Sequence, residues 1–350
     1  MVAKILIVDD SALMRKHLST LLSAAGYDTF TARNGREAVD MVLEHHPDVV
    51  TLDVNMPEMD GMTALSQIIA ARPTPVIMVS SLTSKGALVT LEAMALGAVD
   101  YIAKPGGTIS LSIDDIADEI LAKVKSAIGA RIRPGAGRRV PSAPRPAPAR
   151  PTTTAASRKA LTGLVLIGVS TGGPRTLEEI LPHLPASFPW AVAVAQHMPV
   201  SFTKALAQRM DGMCQLPVRE ASALDEIVPG TITIARGGSD LTVTRRDGRP
   251  FFSTRPESSA HTWHPSVELL VETAMEAFPA ERLIAVQLTG MGNDGARAMA
   301  RLHRQGGRTI AESEESAIIF GMPKELIQQG GASLVLPASR IASQLSSWIR

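Results

Sequence analysis

The feature that most constrains this chain is an alternation of short apolar runs with amphipathic helical patterns, present twice and broken once. In the first half the strand-like runs are Lys4–Val8, Thr29–Ala32, Val49–Leu52, Val76–Val79 and Val99–Ile102. Helical patterns separate them at Ser11–Ala25, Gly35–His45, Gly61–Ala71 and Lys85–Leu96, and a last helix is expected at Ile113–Ile128. In the second half strands are expected at Leu164–Val169, Ala191–Ala195, Thr231–Ile234, Leu283–Leu288, Thr309–Ala311 and Ser333–Leu336. Helices are expected there at Thr176–Leu181, Phe202–Met210, Pro265–Ala277, Gly295–Arg304 and Pro323–Gln328, and Arg245–Arg255 reads as a turn-rich excursion. Alternation at this spacing predicts an α/β chain with two doubly wound parallel sheets, each covered by helices on both faces.

The break is Ala130–Lys159, dense in Pro, Arg, Ala, Ser and Thr, without an acid and without apolar periodicity. Such a segment buries too little surface to offset its ordering entropy, so it reads as an extended linker. The expected division is a first domain at 1–126, a linker at 127–159 and a second domain at 160–350. With 45% apolar but only 3% aromatic residues, both cores must be filled by aliphatic side chains. The formal net charge of +1 gives no global pull toward nucleic acid. Cys214 is the single cysteine, so no intrachain disulfide can form and a reducing compartment is expected. The N-terminal strand pattern runs into Asp9-Asp10, unlike a signal peptide, and no apolar run approaches the roughly 20 residues of a membrane span. A monomeric cytoplasmic protein, not inserted in membrane and not bound to nucleic acid, is the expectation.

Charged side chains fall at strand ends in the first domain: Asp9 and Asp10 after the first, Asp53 after the third, Lys104 after the fifth. A doubly wound fold gathers such ends into one crevice at the carboxyl edge. Clustered carboxylates repel one another unless a hard cation sits among them, and Mg²⁺ suits oxygen ligands. An aspartate beside such an ion can accept a phosphoryl group while the metal and a lysine neutralise its oxygens. Ser80, at the end of the fourth strand, is placed to hydrogen-bond the new phosphate. The strings Asp53-Val54-Asn55-Met56-Pro57-Glu58-Met59-Asp60-Gly61 and Lys104-Pro105 closely resemble the receiver domains of two-component response regulators, over about residues 3–122. The resemblance implies a flavodoxin-like fold, Asp53 as phosphoacceptor and a histidine kinase as phosphodonor. It implies that Asp10, Asp53 and the Asn55 carbonyl hold Mg²⁺, with Asp9 in the same network. Ser80 would move toward the phosphoryl group and Tyr101 would be the aromatic that changes rotamer.

The second domain opens on different chemistry. Gly168-Val169-Ser170-Thr171-Gly172-Gly173 follows the apolar run Leu164–Ile167 and sets a serine on a sharp turn behind a buried strand. Small residues two before and two after the serine are what such a turn demands. The glycines do not fit G-x-G-x-x-G, and no Lys-Ser/Thr pair follows to meet phosphates. A serine hydroxyl needs a base and a group that orients the base. Of eight histidines, His197 alone directly follows a buried strand, through Gln196; His17, His45 and His46 lie on helical patterns, and His183, His261, His264 and His303 in loops or on helices. Asp294 follows Leu283–Leu288 through Thr289-Gly290-Met291-Gly292-Asn293 by the same rule. Taken singly, Asn293-Asp294-Gly295 also fits an ordinary turn with an N-cap, and His197 also fits a surface histidine. The order Ser, His, Asp differs from the Ser, Asp, His of α/β-hydrolases, so a triad here needs a different topology.

The strings Gly168–Pro174, Gln196-His197-Met198-Pro199, Pro229-Gly230-Thr231, His264-Pro265-Ser266-Val267, Leu288–Gly295 and Gly321-Met322-Pro323 resemble the chemotaxis protein-glutamate methylesterases, the CheB family, over nearly all of 162–348. The order receiver, linker, esterase also matches. The resemblance implies Ser170 as nucleophile, His197 as general base and acid, Asp294 as its orienter, and the backbone N–H groups of Thr171 and Met291 at the oxyanion. It implies demethylation of glutamate γ-methyl esters on methyl-accepting chemoreceptors with release of methanol, deamidation of receptor glutamines, and no cofactor for hydrolysis. It also implies that the receiver docks over the serine edge and that phosphorylation of Asp53 raises turnover. One departure is visible: where the family's Gly-Gly loop would carry a histidine, this chain has Ala235-Arg236-Gly237-Gly238-Ser239-Asp240. Two other readings stand beside this one: a response regulator whose output is DNA binding, supported only by the basic linker, and a related enzyme serving a chemosensory array outside motility.

Overall fold

The computed structural model describes residues 2–81, 83–104, 116–130, 132 and 161–349, which divide into two compact units. All but Ala130 and Ile132 of the 130–159 segment lies outside the described residues, as does the expected helix start at Ile113.

The first unit is a five-stranded sheet of β1 (Lys4–Val8), β2 (Asp28–Ala32), β3 (Val49–Asp53), β4 (Val76–Ser81) and β5 (Asp100–Lys104), ordered β2-β1-β3-β4-β5. Every pairing is parallel. All five residues of β3 are buried, as expected of a central parallel strand. The helices are α1 (Ala12–Ala24), α2 (Gly35–His45), α3 (Gly61–Ala71), α4 (Ser84–Leu96) and α5 (Ala117–Ile128). Ser11, Asn34, Asp60 and Thr83 cap the first four, each side chain accepting a backbone N–H of the first turn. Met14, Leu18 and Leu22 of α1 and Ile120 and Val124 of α5 cover one face, against Ile5, Ile7, Ile77 and Ile102. The chain order reverses at β1 and β3, and the carboxyl ends of those two strands carry Asp9, Asp10 and Asp53.

The second unit is a seven-stranded parallel sheet: β6 (Leu164–Val169), β7 (Ala191–Gln196), β8 (Val218–Glu220), β10 (Ile232–Ile234), β13 (Leu283–Gln287), β14 (Arg308–Glu312) and β15 (Leu334–Leu336), ordered β15-β14-β13-β6-β7-β10-β8. A separate antiparallel sheet holds β9 (Leu224–Glu226), β11 (Ser239–Arg246) and β12 (Arg249–Pro256). The helices are α6 (Gly173–Ile180), α7 (Val200–Met213), α8 (Val267–Ala277), α9 (Ala296–Arg304), α10 (Met322–Gln328) and α11 (Ala338–Trp348). β6 and β7 are buried along their full length, and Leu164, Leu166, Ala193 and Ala285 pack with Val267, Leu270 and Met299 in one core. The expected excursion at Arg245–Arg255 is a hairpin, closed at Asp247-Gly248, both with positive φ as its tight turn requires. β8, β9 and α11 are elements that the sequence reading lacked.

Among the described residues, no helix is long and apolar enough to cross a membrane.

Candidate active site

The three central strands of the larger sheet, β13, β6 and β7, deliver the expected triad residues to one edge. Ser170 follows β6, His197 follows β7 and Asp294 lies in the loop after β13. The Ser170 backbone is pinned on both sides: its N–H donates to Thr289 O at 2.9 Å, and its carbonyl accepts from Gly173 N–H at 2.8 Å and Gln196 Nε2 at 2.9 Å. His197 N–H donates to Val169 O at 3.0 Å. Gly172 turns the chain at φ +79°, and Gly290, at φ +157°, lets its loop approach the serine; a Cβ there would stand 2.5 Å from Ser170 Cβ.

His197 Nε2 lies 2.8 Å from Asp294 Oδ2, and the imidazole is largely enclosed. Its other nitrogen, Nδ1, is buried without a hydrogen-bond partner among the described residues. Ser170 is half-buried, and its hydroxyl has no partner among the described residues. Trp263 lies nearly parallel to the imidazole, with ring centroids 6.3 Å apart and 5° between planes, and its indole occupies the space that a side chain at Gly292 would need. The tryptophan had no role in the sequence reading; its position depends on the fold of the 261–266 segment, not on any local pattern.

Asp294 is not the N-cap of the helix that follows it; Gly295 holds that position. Its carboxylate instead caps α8. Oδ2 accepts Val267 N–H at 2.7 Å, and Oδ1 accepts Glu268 N–H at 2.9 Å and the Ser266 hydroxyl at 3.3 Å. Glycines at 168 and 295 permit this, since a Cβ at either would collide with Val267. Burial pushes the Asp294 carboxyl up, but the bonds from His197 and from the Glu268 and Val267 amides outweigh it, so the group sits below the usual carboxylate value.

The loop around Gly290 is fixed from beneath. Thr289 N–H donates to Glu312 Oε2 at 2.8 Å, and the Thr289 hydroxyl donates to Thr171 O at 2.9 Å. Thr171, expected at the oxyanion, is buried directly after Ser170, and Met291 follows Gly290 on the same edge. The divergent loop at 235–240 also touches the site: a Cβ at Gly237 would overlap the backbone of Met198, Pro199 and Val200, just after His197.

In the first unit Asp9, Asp10 and Asp53 offer carboxylate oxygens within 4.8 Å of one another, a donor set suited to a hard divalent cation. Lys104 Nζ bridges two of them, 3.0 Å from Asp9 Oδ2 and 2.9 Å from Asp53 Oδ2. Burial raises the Asp53 carboxyl; Lys104 offsets only part of this, and Asp9 adds to the rise. Burial lowers the Lys104 ammonium, but Asp53 and Asp9 together bring it above its ordinary value. Asn55 is exposed in the loop after β3, Ser80 is buried with its hydroxyl donating to Gly86 O at 3.4 Å, and Tyr101 is buried on β5. A Cβ at Gly61 would collide with the Asp53 carbonyl, so glycine lets α3 start against the end of β3.

Comparison with known proteins agrees with both units. Residues 165–345 match the model of the CheB methylesterase family and residues 5–112 that of the response regulator receiver domain. A protein-glutamate methylesterase/protein-glutamine glutaminase of Rhodospirillum rubrum is 55% identical, covering 99% of this chain and 96% of its own. One of Rhodopseudomonas palustris is 48% identical over 99% of this chain and 98% of its own. The crystal structure of the Thermotoga maritima CheB methylesterase catalytic domain is matched at 41% identity and a TM-score of 0.51, covering 53% of this chain and 97% of that one. The class is thus a receiver unit joined in one chain to a parallel α/β hydrolase unit. The chain belongs to the CheB methylesterase family.

Proposed function

We propose that this protein is a phosphorylation-activated serine hydrolase that removes γ-methyl groups from glutamates of methyl-accepting chemoreceptors and deamidates receptor glutamines. One observation carries the reading: Asp294 holds His197 through Nε2, so the buried Nδ1 and the Ser170 hydroxyl, both without a partner among the described residues, share one sheet edge. Ser170 Oγ attacks the ester carbonyl carbon while His197 Nδ1 takes its proton. The carbonyl π electrons pass to oxygen, which the Thr171 and Met291 N–H groups receive. As the C–O bond to the methoxy group breaks, His197 returns the proton and methanol leaves. Water, deprotonated by the same nitrogen, then attacks the acyl carbon; the bond to Ser170 Oγ breaks, His197 returns the proton to that oxygen, and the glutamate is freed. Glutamine follows the same route with ammonia as leaving group. Asp294, held by the α8 amides, keeps the imidazole in one tautomer and balances its charge when protonated.

In the receiver unit, Asp53 takes the phosphoryl group from a histidine kinase: its carboxylate oxygen bonds to phosphorus as the P–N bond breaks. Asp9, Asp10 and Asp53 would hold Mg²⁺, with the Asn55 carbonyl, and the bound ion supplies charge neutralisation for the phosphoryl oxygens. Lys104 pairs with the same oxygens, and Ser80 and Tyr101 respond to the new phosphate.

The test is methanol release from methyl-labelled chemoreceptor membranes, with and without a small phosphodonor and Mg²⁺. Ser170→Ala should abolish release under both conditions, and Asp53→Ala should keep the basal rate and lose the stimulation. Near-wild-type release by the Ser170 variant would overturn the nucleophile; stimulation that survives without Asp53 would move the switch elsewhere.

A further inference from the structure

The carboxylate that orients His197 is itself held by a helix terminus, and a second carboxylate holds that terminus in turn. Asp240, at the start of β11, is fully buried. Its Oδ1 accepts the Ser266 N–H at 2.7 Å and pairs with His264 Nδ1 at 2.8 Å, while Oδ2 has no hydrogen-bond partner among the described residues. A buried carboxylate with one oxygen unsatisfied is a costly group to keep unless its geometry is needed.

The two partners flank Pro265 and lead straight into α8. Ser266 is the N-cap of that helix: its hydroxyl accepts Leu269 N–H at 3.2 Å and donates to Asp294 Oδ1 at 3.3 Å. Val267 and Glu268, the next two residues, give their N–H groups to Asp294. An unbroken line of hydrogen bonds therefore runs from Asp240 through the cap to Asp294 and on to His197 Nε2. The loop that carries Asp240 also packs, through Gly237, against the backbone that follows His197. Both ends of the His197–Asp294 bond are thus referenced to residues 237–240. His261, 3.4 Å from the Ser266 hydroxyl through Nδ1, and Glu268, paired with Arg297 at 2.7 Å, are further titratable groups at this terminus.

We propose that Asp240 and His264 are positioning residues for the His197–Asp294 couple, fixing the α8 terminus that holds Asp294. The inference rests on the Ser170–His197–Asp294 reading above. It also gives the divergent 235–240 loop a role: in this chain its aspartate, paired with His264, supplies the anchor.

The test uses the full chain and methyl-labelled receptor membranes, with the His197 N–H proton followed as a low-field resonance in ¹⁵N-histidine-labelled protein. A misaimed base costs on the order of 10²-fold, so Asp240→Ala should lower kcat by about that factor with KM within about twofold. The resonance should shift or broaden in the same variant. Asp240→Asn keeps an acceptor for Ser266 N–H and should recover most of kcat. Should Asp240→Ala fail to fold, His264→Ala removes one arm of the anchor and should show a smaller kcat loss with the same spectral change. A loss that only tracks the folded fraction, with the resonance unmoved, overturns the proposal. So does an unchanged kcat, or an Asn variant as impaired as the Ala variant. A Ser170→Ala control that retains hydrolysis would overturn the triad reading itself; a dead control beside an unmoved resonance overturns only the anchor.

Discussion

Asp294→Asn is the substitution on which the structure speaks most quantitatively. The carboxylate receives four donors: the imidazole at 2.8 Å, the Val267 and Glu268 amides at 2.7 and 2.9 Å, and the Ser266 hydroxyl at 3.3 Å. An asparagine has one acceptor oxygen, so its NH₂ must face at least one of those donors. If the NH₂ faces the Oδ2 position it opposes Val267 N–H and turns the imidazole to the wrong tautomer. If it faces the Oδ1 position it opposes Glu268 N–H. Loss of correct tautomer and charge in a triad costs kcat on the order of 10⁴-fold, about 5.5 kcal/mol. Bonds to a charged acceptor contribute ~1.5–3 kcal/mol each, and a carboxylate at a helix N-terminus adds up to ~2 kcal/mol. With part of this kept by the amide oxygen, we expect a destabilisation of about 2–4 kcal/mol. Trp190, Trp263 and Trp348 all lie in the second unit, so tryptophan fluorescence in urea reads that unit alone. The sign with pH follows from the depressed carboxyl. Stability from Asp294 is fully present above its ordinary value of 3.8 and is lost as pH falls through the lower folded value. The variant's unfolding curve should lack that acid-side loss. A folded Asn variant whose kcat falls by less than about tenfold would refute the reasoning.

Gly290→Ala places a methyl 2.5 Å from both Ser170 Cβ and Met322 Sδ at φ +157°. It should cost about 1–3 kcal/mol by urea unfolding and depress kcat far more than KM. Chelation of divalent cations with EDTA should remove stimulation by phosphodonor while leaving basal methanol release intact, since the carboxylate cluster belongs to the receiver unit. Burial, with Asp211 second, pushes the Cys214 thiol up to about 12. Cys214 is half-buried, so Ellman's reagent at pH 8 should react slowly with the native protein, chiefly because little thiolate is present, and fully in urea; fast stoichiometric reaction of the native chain would contradict the raised thiol.

The strand-end rule located the triad candidates because parallel strands buried on both faces leave continuous apolar runs, as in Leu164–Val169 and Ala191–Gln196, and the polar residue after each run is conspicuous. The three-residue strands Val218–Glu220 and Leu224–Glu226 carry too few residues to show any period. The hairpin was legible in principle: Asp247-Gly248 stands between half-buried strands, but their outward arginines masked the alternation of Leu241 and Val243. The last helix, Ala338–Trp348, buries Ile341, Ala342 and Leu345, a helical spacing that was there to be read. Asp240, His264, Ser266 and Trp263 were another matter. Their contacts arise where the start of α8 meets the sheet edge, and no local pattern in sequence records a tertiary approach of that kind.

The order of the three central strands has a consequence for synthesis. Ser170 leaves the ribosome early in the second unit, while Asp294 and the α8 cap that holds it follow roughly a hundred residues later. Until β13 has emerged and taken its place beside β6, the sheet edge carrying Ser170 and His197 lacks Asp294, and the proposed base has nothing to orient it. On the proposed triad the chain is therefore born inert, and hydrolysis becomes possible only with the closing of the sheet.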